Sequence, residues 1–317
     1  MRRLALALAV VASALAGLPA SGASALTLTG STVKNERLSD VRFATPSLHG
    51  AGRAFVLLPD GYADDPARRY PVLYLLHGGL GTYVDWPRQG AIEALTADQD
   101  VIVVMPDGGP AGWYTDWWNR GRGGPPKWET FHVDELVAWV DATYRTIPER
   151  RARGIAGLSM GGFGAMSYAA RNPEVFGWAA SFSGAVDITR NPATQTTITA
   201  EAGFVNGRPF GPFGDPVAQR FVWRAHDPLT LAAKLRDTRV ILAVGNGRPG
   251  PLDDRFSVGD VVEDQMYASG RRMHQRLESL GIPHAWDAYG RGTHSWPYWQ
   301  RDLRTWLSDF LAGAQPG

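Results

Sequence analysis

Residues 154–166 read GIAGLSMGGFGAM, and this segment determines the fold class. It begins with an apolar run, passes through GLSMG at 157–161, and continues into small and apolar residues that suit a helix. The pentapeptide fits G-x-S-x-G, the pattern in which a serine lies on a sharp turn between a strand and a helix. Glycines on both sides allow such a turn to approach its neighbours without Cβ clashes. The pattern predicts that Ser159 is a nucleophile raised above a sheet.

Short apolar runs lie on both sides of this segment and alternate with amphipathic helical patterns. Strands that are apolar on both faces are typical of a parallel sheet covered by helices. Residues 33–58 differ, because two strand-like stretches around a Gly-Ala-Gly turn at 50–52 predict an antiparallel start. We expect an α/β-hydrolase fold with about eight strands, a mostly parallel sheet and helices on both faces. The apolar runs are 72–76, 101–105, 154–158, 178–182, 240–244 and 285–289, and the helical patterns are 133–144, 163–171, 264–280 and 298–311.

The beginning of the chain has the pattern of a secretory signal peptide. Arginines at 2–3 precede an apolar run at 4–18, and small residues follow up to Ala25. The apolar run is shorter than the roughly 20 residues that span a bilayer, which favours cleavage over a membrane anchor. We predict that residues 1–25 are a signal peptide removed near Ala25, and that the protein is secreted without stable membrane insertion.

The remaining residues, 26–317, contain no repeat or linker and are predicted to form a single domain. Within them, 184–227 is rich in Gly, Pro, Asn and Thr and interrupts the alternation of strands and helices. A connection of this length is predicted to be an irregular insertion or a lid.

Composition excludes several classes of function. The chain has 32 Lys and Arg against 31 Asp and Glu, a balance without the positive charge that nucleic-acid binding requires. It has no cysteine, which excludes a thiol nucleophile and a disulfide framework. No zinc-ligand spacing or phosphate-binding loop occurs, so the sequence predicts neither a metal nor a cofactor.

A glycine-bearing loop, LHGGL at 76–80, follows one of the predicted parallel strands. In this fold such a loop turns a backbone N–H toward the substrate carbonyl oxygen and so forms part of the oxyanion hole. The first donor is Leu80 or Gly79, which the sequence does not separate, and the second is the residue after the nucleophile, Met160. His77 precedes the nucleophile in the chain, and this order favours a structural role over a catalytic one.

The general base of this fold lies in the loop after the last strand, and His294 is the histidine in that place. The acid is expected after the preceding strand at 240–244. Close spacing to that strand favours two aspartates, Asp253 and Asp254, although spacing alone does not decide. The full set of candidates is Asp253, Asp254, Asp260, Glu263 and Asp264.

Four further stretches carry a resemblance to a known family. They are TYRTI at 143–147, WYTDWW at 113–118, KWETF at 127–131 and GTHSWPYW at 292–299. Together with residues 155–165 they resemble the esterase D-like bacterial esterases and the antigen 85 mycolyltransferases, over about residues 72–299. Those enzymes use a glutamate about thirty residues before the histidine, and Glu263 lies 31 residues before His294. The resemblance therefore implies Glu263 as the acid, with Asp254 as the alternative.

These observations predict a secreted serine carboxylic ester hydrolase that works through an acyl-enzyme. Its substrate would be a small-molecule or lipid ester, and the acyl group would pass to water or to a sugar or glycerol hydroxyl. An antigen 85-like mycolyltransferase or acyltransferase is one alternative. A non-catalytic carbohydrate- or matrix-binding relative is another, which the twelve tryptophans favour and the intact Ser159 and His294 oppose. The predicted substrate-contacting residues are Trp296, Trp117 and His77.

Overall fold

The computed structural model describes residues 26–314, and the signal peptide predicted at 1–25 lies outside them. Within these residues, nine strands form one sheet. They are β1 (Thr27–Val33), β2 (Leu38–Ala44), β3 (Gly52–Leu57), β4 (Val72–Leu76), β5 (Ile102–Pro106), β6 (Arg153–Leu158), β7 (Trp178–Phe182), β8 (Arg239–Gly245) and β9 (His284–Gly290). Their order across the sheet is β1-β2-β3-β5-β4-β6-β7-β8-β9.

Six neighbouring strands run parallel, in the order β5, β4, β6, β7, β8 and β9. Strands β1, β2 and β3 extend the sheet as antiparallel strands. This confirms the predicted fold class, including its antiparallel start. The prediction of about eight strands missed β1. All seven residues of β1 are exposed, because it forms the edge of the sheet and pairs only with β2.

Helices cover both faces of the sheet, and strand β4 is apolar throughout because each of its faces packs into a core. Val72, Tyr74 and Leu76 enter one core with α3, α4 and α8, whereas Leu73 and Leu75 enter a second core with α1, α2 and α9. No helix within residues 26–314 is long and apolar enough to cross a bilayer. The helices are α1 (Asp85–Gln89), α2 (Ile92–Leu95), α3 (Val137–Thr143, after a π-helical stretch Thr130–Leu136), α4 (Met160–Arg171), α5 (Pro192–Asn206), α6 (Arg220–His226), α7 (Pro228–Leu231), α8 (Val261–Ser279) and α9 (Trp296–Ala314).

The prediction that 184–227 is irregular was wrong, because this segment contains α5 and α6. The side chain of Asn191 accepts hydrogen bonds from two N–H groups in the first turn of α5, and Pro192 takes the first helical position. Gly207, with φ of 62°, ends the helix in the left-handed conformation. The buried residues of α5 recur every four positions and fix it against the body of the protein: Thr194, Ile198 and Ala202.

Candidate active site

Ser159 lies on the turn that the sequence predicted. Strand β6 ends at Leu158 and α4 begins at Met160, which leaves Ser159 between them with φ of 54° and ψ of −118°. A non-glycine residue with positive φ costs on the order of 1–3 kcal/mol and persists only where the surroundings hold it. Here the Ser159 N–H donates to the Phe182 carbonyl at 3.0 Å, and its carbonyl accepts from the Phe163 N–H at 3.1 Å.

The two glycines of the motif are required by close backbone approach. A Cβ on Gly157 would lie 2.4 Å from the carbonyl of Gly161, and a Cβ on Gly161 would lie 2.5 Å from the carbonyl oxygen of Leu76. Neither backbone neighbour can move without displacing a strand or a helix. The turn therefore holds the serine side chain at the carboxyl end of the central strands. Larger residues in place of these glycines would force the turn apart.

A buried glutamate lies behind the predicted base. Glu263 Oε2 is 2.8 Å from Nδ1 of His294, while Oε1 accepts from the Ser183 hydroxyl at 2.8 Å and from the Gly245 N–H at 2.7 Å. Glu263 is fully buried, so these bonds compensate the lost solvation of its carboxylate. A carboxylate at Nδ1 favours the tautomer with the proton on that nitrogen, which leaves Nε2 as an acceptor.

Asp260 joins the first turn of α8, which carries Glu263, to the loop that carries His294. Its Oδ1 accepts from the N–H of Glu263 at 3.0 Å and caps α8, while its Oδ2 accepts from the N–H of His294 at 2.9 Å. The sequence analysis weighed Asp260 only as an alternative acid. The spacing Asp260-x-x-Glu263 resembles a capping box at a helix start, which is the signal that could have identified this role.

The other acid candidates lie elsewhere. Asp253 accepts from the Tyr298 hydroxyl at 2.9 Å, from the Gly250 N–H at 2.7 Å and from the Thr293 hydroxyl, and so ties the loop after β8 to the loop after β9. Asp254 is exposed. Of the carboxylates weighed from the sequence, the structure brings the side chain of Glu263 to the imidazole.

The two candidates for the first oxyanion-hole donor are separated by their hydrogen bonds. The Leu80 N–H donates to the Pro110 carbonyl at 2.6 Å, which contradicts Leu80 as a donor to substrate. Among residues 26–314, no acceptor takes the N–H of Gly79 or of Met160. Met160 is the first residue of α4, where backbone N–H groups have no partner within the helix.

Ser159 and His294 line one cavity of about 500 Å³. Gly79 and Met160 reach the same space, and α5 forms part of its wall. Three tryptophans give it an aromatic surface, and no Lys or Arg occurs among the described residues that line it. No group of three or more His, Asp or Glu within 26–314 is placed to hold a metal ion. The tryptophans are Trp113, Trp296 and Trp299.

Two of the three predicted substrate contacts are wrong. Trp296 lines the cavity as expected. Trp117 is buried away from it and donates its indole N–H to the Gly112 carbonyl at 2.9 Å. His77 is fully buried, and its Nε2 accepts from the Gly108 N–H at 2.9 Å. Both residues hold loops in place, the structural role that the sequence analysis favoured for His77.

A family model described as "Putative esterase" matches residues 45–310. The chain belongs to this esterase family. It is 37% identical over 258 residues to Esterase Rv1288 of Mycobacterium tuberculosis, covering 78% of this chain and 54% of that protein. The chain thus spans about half the length of this relative.

The chain is also similar in sequence to the antigen 85 proteins. It is 30% identical over 260 residues to the diacylglycerol acyltransferase/mycolyltransferase Ag85A of Mycobacterium ulcerans, covering 78% of this chain and 75% of that one. The resemblance noted in the sequence is confirmed. Among solved structures, MPT51 of Mycobacterium tuberculosis superposes with a TM-score of 0.68 at 25% identity, covering 86% of this chain and 97% of that one. A ferulic acid esterase superposes with a TM-score of 0.68 at 22% identity, covering 88% and 98%, and shows the shared fold.

Two residues around the site of this esterase-family chain, Ser183 and Glu201, were not identified from the sequence. Ser183 supports the glutamate from the end of β7, and the Trp299 ring packs edge-on against the His294 ring with centroids 5.0 Å apart. Glu201 lines the cavity from α5. A serine and a glutamate in loops and helix faces have no sequence signal of their own, whereas Trp299 belongs to the GTHSWPYW stretch at 292–299.

Proposed function

We propose that this chain is a serine esterase or acyltransferase, with Ser159 as nucleophile, His294 as general base and Glu263 as acid. One observation carries the proposal. The 2.8 Å contact between His294 Nδ1 and the buried Glu263 carboxylate lies at a cavity that also contains a serine held on a strained strand-to-helix turn. Membership of the esterase family supports the same chemistry.

The reaction would proceed in two steps. In the first, Nε2 of His294 takes the hydroxyl proton of Ser159 while Oγ bonds to the ester carbonyl carbon, and the collapsing intermediate expels the alcohol, which receives that proton. In the second, water or another hydroxyl gives its proton to His294 and attacks the acyl-enzyme, and the proton returns to Ser159 as the acyl group leaves. Glu263 holds the imidazole in the required tautomer and stabilises the imidazolium in both steps.

The negative charge that develops on the carbonyl oxygen would be stabilised by two backbone N–H groups. We assign them to Gly79 and Met160, since both N–H groups are without an acceptor among residues 26–314. Met160 also begins a helix of 12 residues, and the positive end of the helix dipole favours an oxyanion there. Loss of one such donor typically costs about 10²–10³ in kcat.

The cavity suits a small-molecule or lipid ester, because its lining is largely apolar and aromatic. The relative named as a diacylglycerol acyltransferase/mycolyltransferase is the observation that favours acyl transfer as a second outcome. A test would incubate residues 26–317 with short- and long-chain nitrophenyl esters, with and without glycerol or trehalose, and identify the products by mass spectrometry. We expect free acid, with acylated acceptor appearing when glycerol or a sugar is present. Release of neither product would overturn the proposal.

We also propose that the protein is secreted, with residues 1–25 removed and residues 26–317 forming the mature single domain. The support is the charged start, the short apolar run and the small residues before Ala25. N-terminal sequencing of protein from the culture medium should give a start close to Leu26. Recovery of membrane-bound protein that retains Met1 would contradict this.

A further inference from the structure

Glu201 places a carboxyl group beside the proposed oxyanion hole, and the mechanism above does not use it. The residue belongs to α5 and lines the cavity. Trp113 donates its indole N–H to Oε2 at 3.1 Å. Oε1 lies 3.0 Å from the point that a Cβ on Gly79 would occupy, so the carboxyl packs against the backbone of the residue whose N–H is proposed to bind the oxyanion.

No cation on the cavity wall compensates this carboxyl. The other titratable groups among the described lining residues are Asp85 on α1 and His294 after β9, and neither Lys nor Arg is among them. On the adjoining loop, His77 faces Asp107 at 3.4 Å and not the cavity. Helix α5 itself has no other titratable side chain.

The protonation state of Glu201 follows from these surroundings. Burial raises its pKa from the usual 4.5 to about 7, and the hydrogen bond from Trp113 opposes this rise only in part. Below pH 7 the carboxyl is therefore mainly neutral, and above pH 7 it becomes an anion. In the neutral form, one oxygen can accept from Trp113 while the hydroxyl remains free to donate.

We propose that Glu201 is a specificity-determining residue that restricts the site to neutral esters and that supports catalysis in its protonated form. The inference rests on the proposed serine esterase function. An ionised carboxyl beside Gly79 would repel the oxyanion that forms there, because like charges at short range are only weakly screened where burial limits the access of solvent. It would repel an anionic substituent on the acyl chain in the same way. A protonated Glu201 removes both repulsions and offers a hydrogen bond to a substrate oxygen.

The first test is the pH dependence of kcat/KM for nitrophenyl butyrate between pH 5 and 9. The wild-type rate should fall by about tenfold or more between pH 7 and pH 9 as Glu201 ionises. Glu201→Gln keeps the size of the side chain and cannot ionise, so its profile should lack this fall. Asp85→Asn, which neutralises the other carboxyl on the cavity wall, serves as the matched control and should retain the falling limb.

The second test compares two acyl groups of similar size at pH 8, nitrophenyl butyrate and the nitrophenyl monoester of succinate, which carries a carboxylate. We expect Glu201→Gln to raise the ratio of kcat/KM for the succinate ester to that for the butyrate ester by about tenfold. A residue that only supported the fold would lower both rates together and leave this ratio and the profile unchanged.

Failure of this inference can be distinguished from failure of the proposed function. A wild-type rate that does not fall between pH 7 and 9 overturns the inference, whether or not the variant folds. Identical profiles and identical ester selectivity for wild type and Glu201→Gln also overturn it. If the wild type hydrolyses no ester at any pH, the proposed function itself is wrong, and the role of Glu201 is lost with it.

Discussion

Replacing Ser159 with alanine is expected to lower kcat by about 10⁴-fold or more, while the protein remains folded. The acyl-enzyme cannot form without the hydroxyl, and only binding and the oxyanion hole would remain to accelerate direct attack by water. Alanine should also fit the turn, since the φ of 54° is maintained by backbone hydrogen bonds rather than by the serine side chain. Steady-state kinetics with a nitrophenyl ester and a circular dichroism spectrum measure the two quantities.

Ser167 provides the matched control for this variant. It lies on α4, the helix that follows Ser159, is fully buried, and donates its hydroxyl to the His226 carbonyl at 3.0 Å, outside the cavity. Ser167→Ala should cost about 1 kcal/mol of stability through the lost hydrogen bond and leave turnover close to that of the wild type. Near-normal turnover by a folded Ser159→Ala protein would eliminate Ser159 as the nucleophile.

Replacing Glu263 with glutamine should lower kcat by about 10²–10⁴-fold and change KM much less. The amide has nearly the same size but no charge, so the imidazolium that forms in each step loses its stabilisation. The amide can also turn its NH₂ group toward Nδ1, which favours the tautomer that cannot accept the serine proton. The other carboxylate oxygen accepts from the Ser183 hydroxyl and the Gly245 N–H, so the amide oxygen would keep that position and the NH₂ group would be directed toward Nδ1.

The neighbouring aspartates test whether this effect is specific. Asp254→Asn should change kcat several-fold at most, since the side chain is exposed. Asp253→Asn should act mainly on stability, because the aspartate binds Thr293 and Tyr298. Complete loss of turnover in Asp254→Asn together with a nearly silent Glu263→Gln would show that the acid was assigned to the wrong residue.

The sequence predicted those parts of the fold in which burial leaves a pattern. Strands such as β4 and β5 face a core on both sides and are therefore apolar throughout. Strand β1 could not be found in this way, because its TLTGSTV residues are all exposed and show no alternation. Helix α5 is rich in threonine, which lowers helix propensity and gave it the appearance of a loop. Asn191-Pro192 at its start and Gly207 at its end are residues typical of helix boundaries and could have predicted it.

For the candidate site, position along the chain was sufficient to select Ser159 and His294, because each follows the end of a predicted strand. The acid could not be selected by position in this way. A loop of 15 residues, 246–260, separates β8 from α8, and chain length does not say which carboxylate of this loop or of the first turn of α8 turns back to the histidine. The Glu263 assignment came from the resemblance alone. The Glu201 carboxyl could not be anticipated, because its place beside Gly79 depends on how α5 packs across the cavity.

The double contact of Asp260 determines how this site would come apart. One of its oxygens accepts from the N–H of Glu263 and the other from the N–H of His294, so the carboxylate links the first turn of α8 to the loop after β9. We expect these two segments to open together, because displacing either one breaks a bond to the same side chain. Such opening would separate Glu263 from His294 in one step, and mild warming would reduce the number of competent molecules rather than the rate of each one.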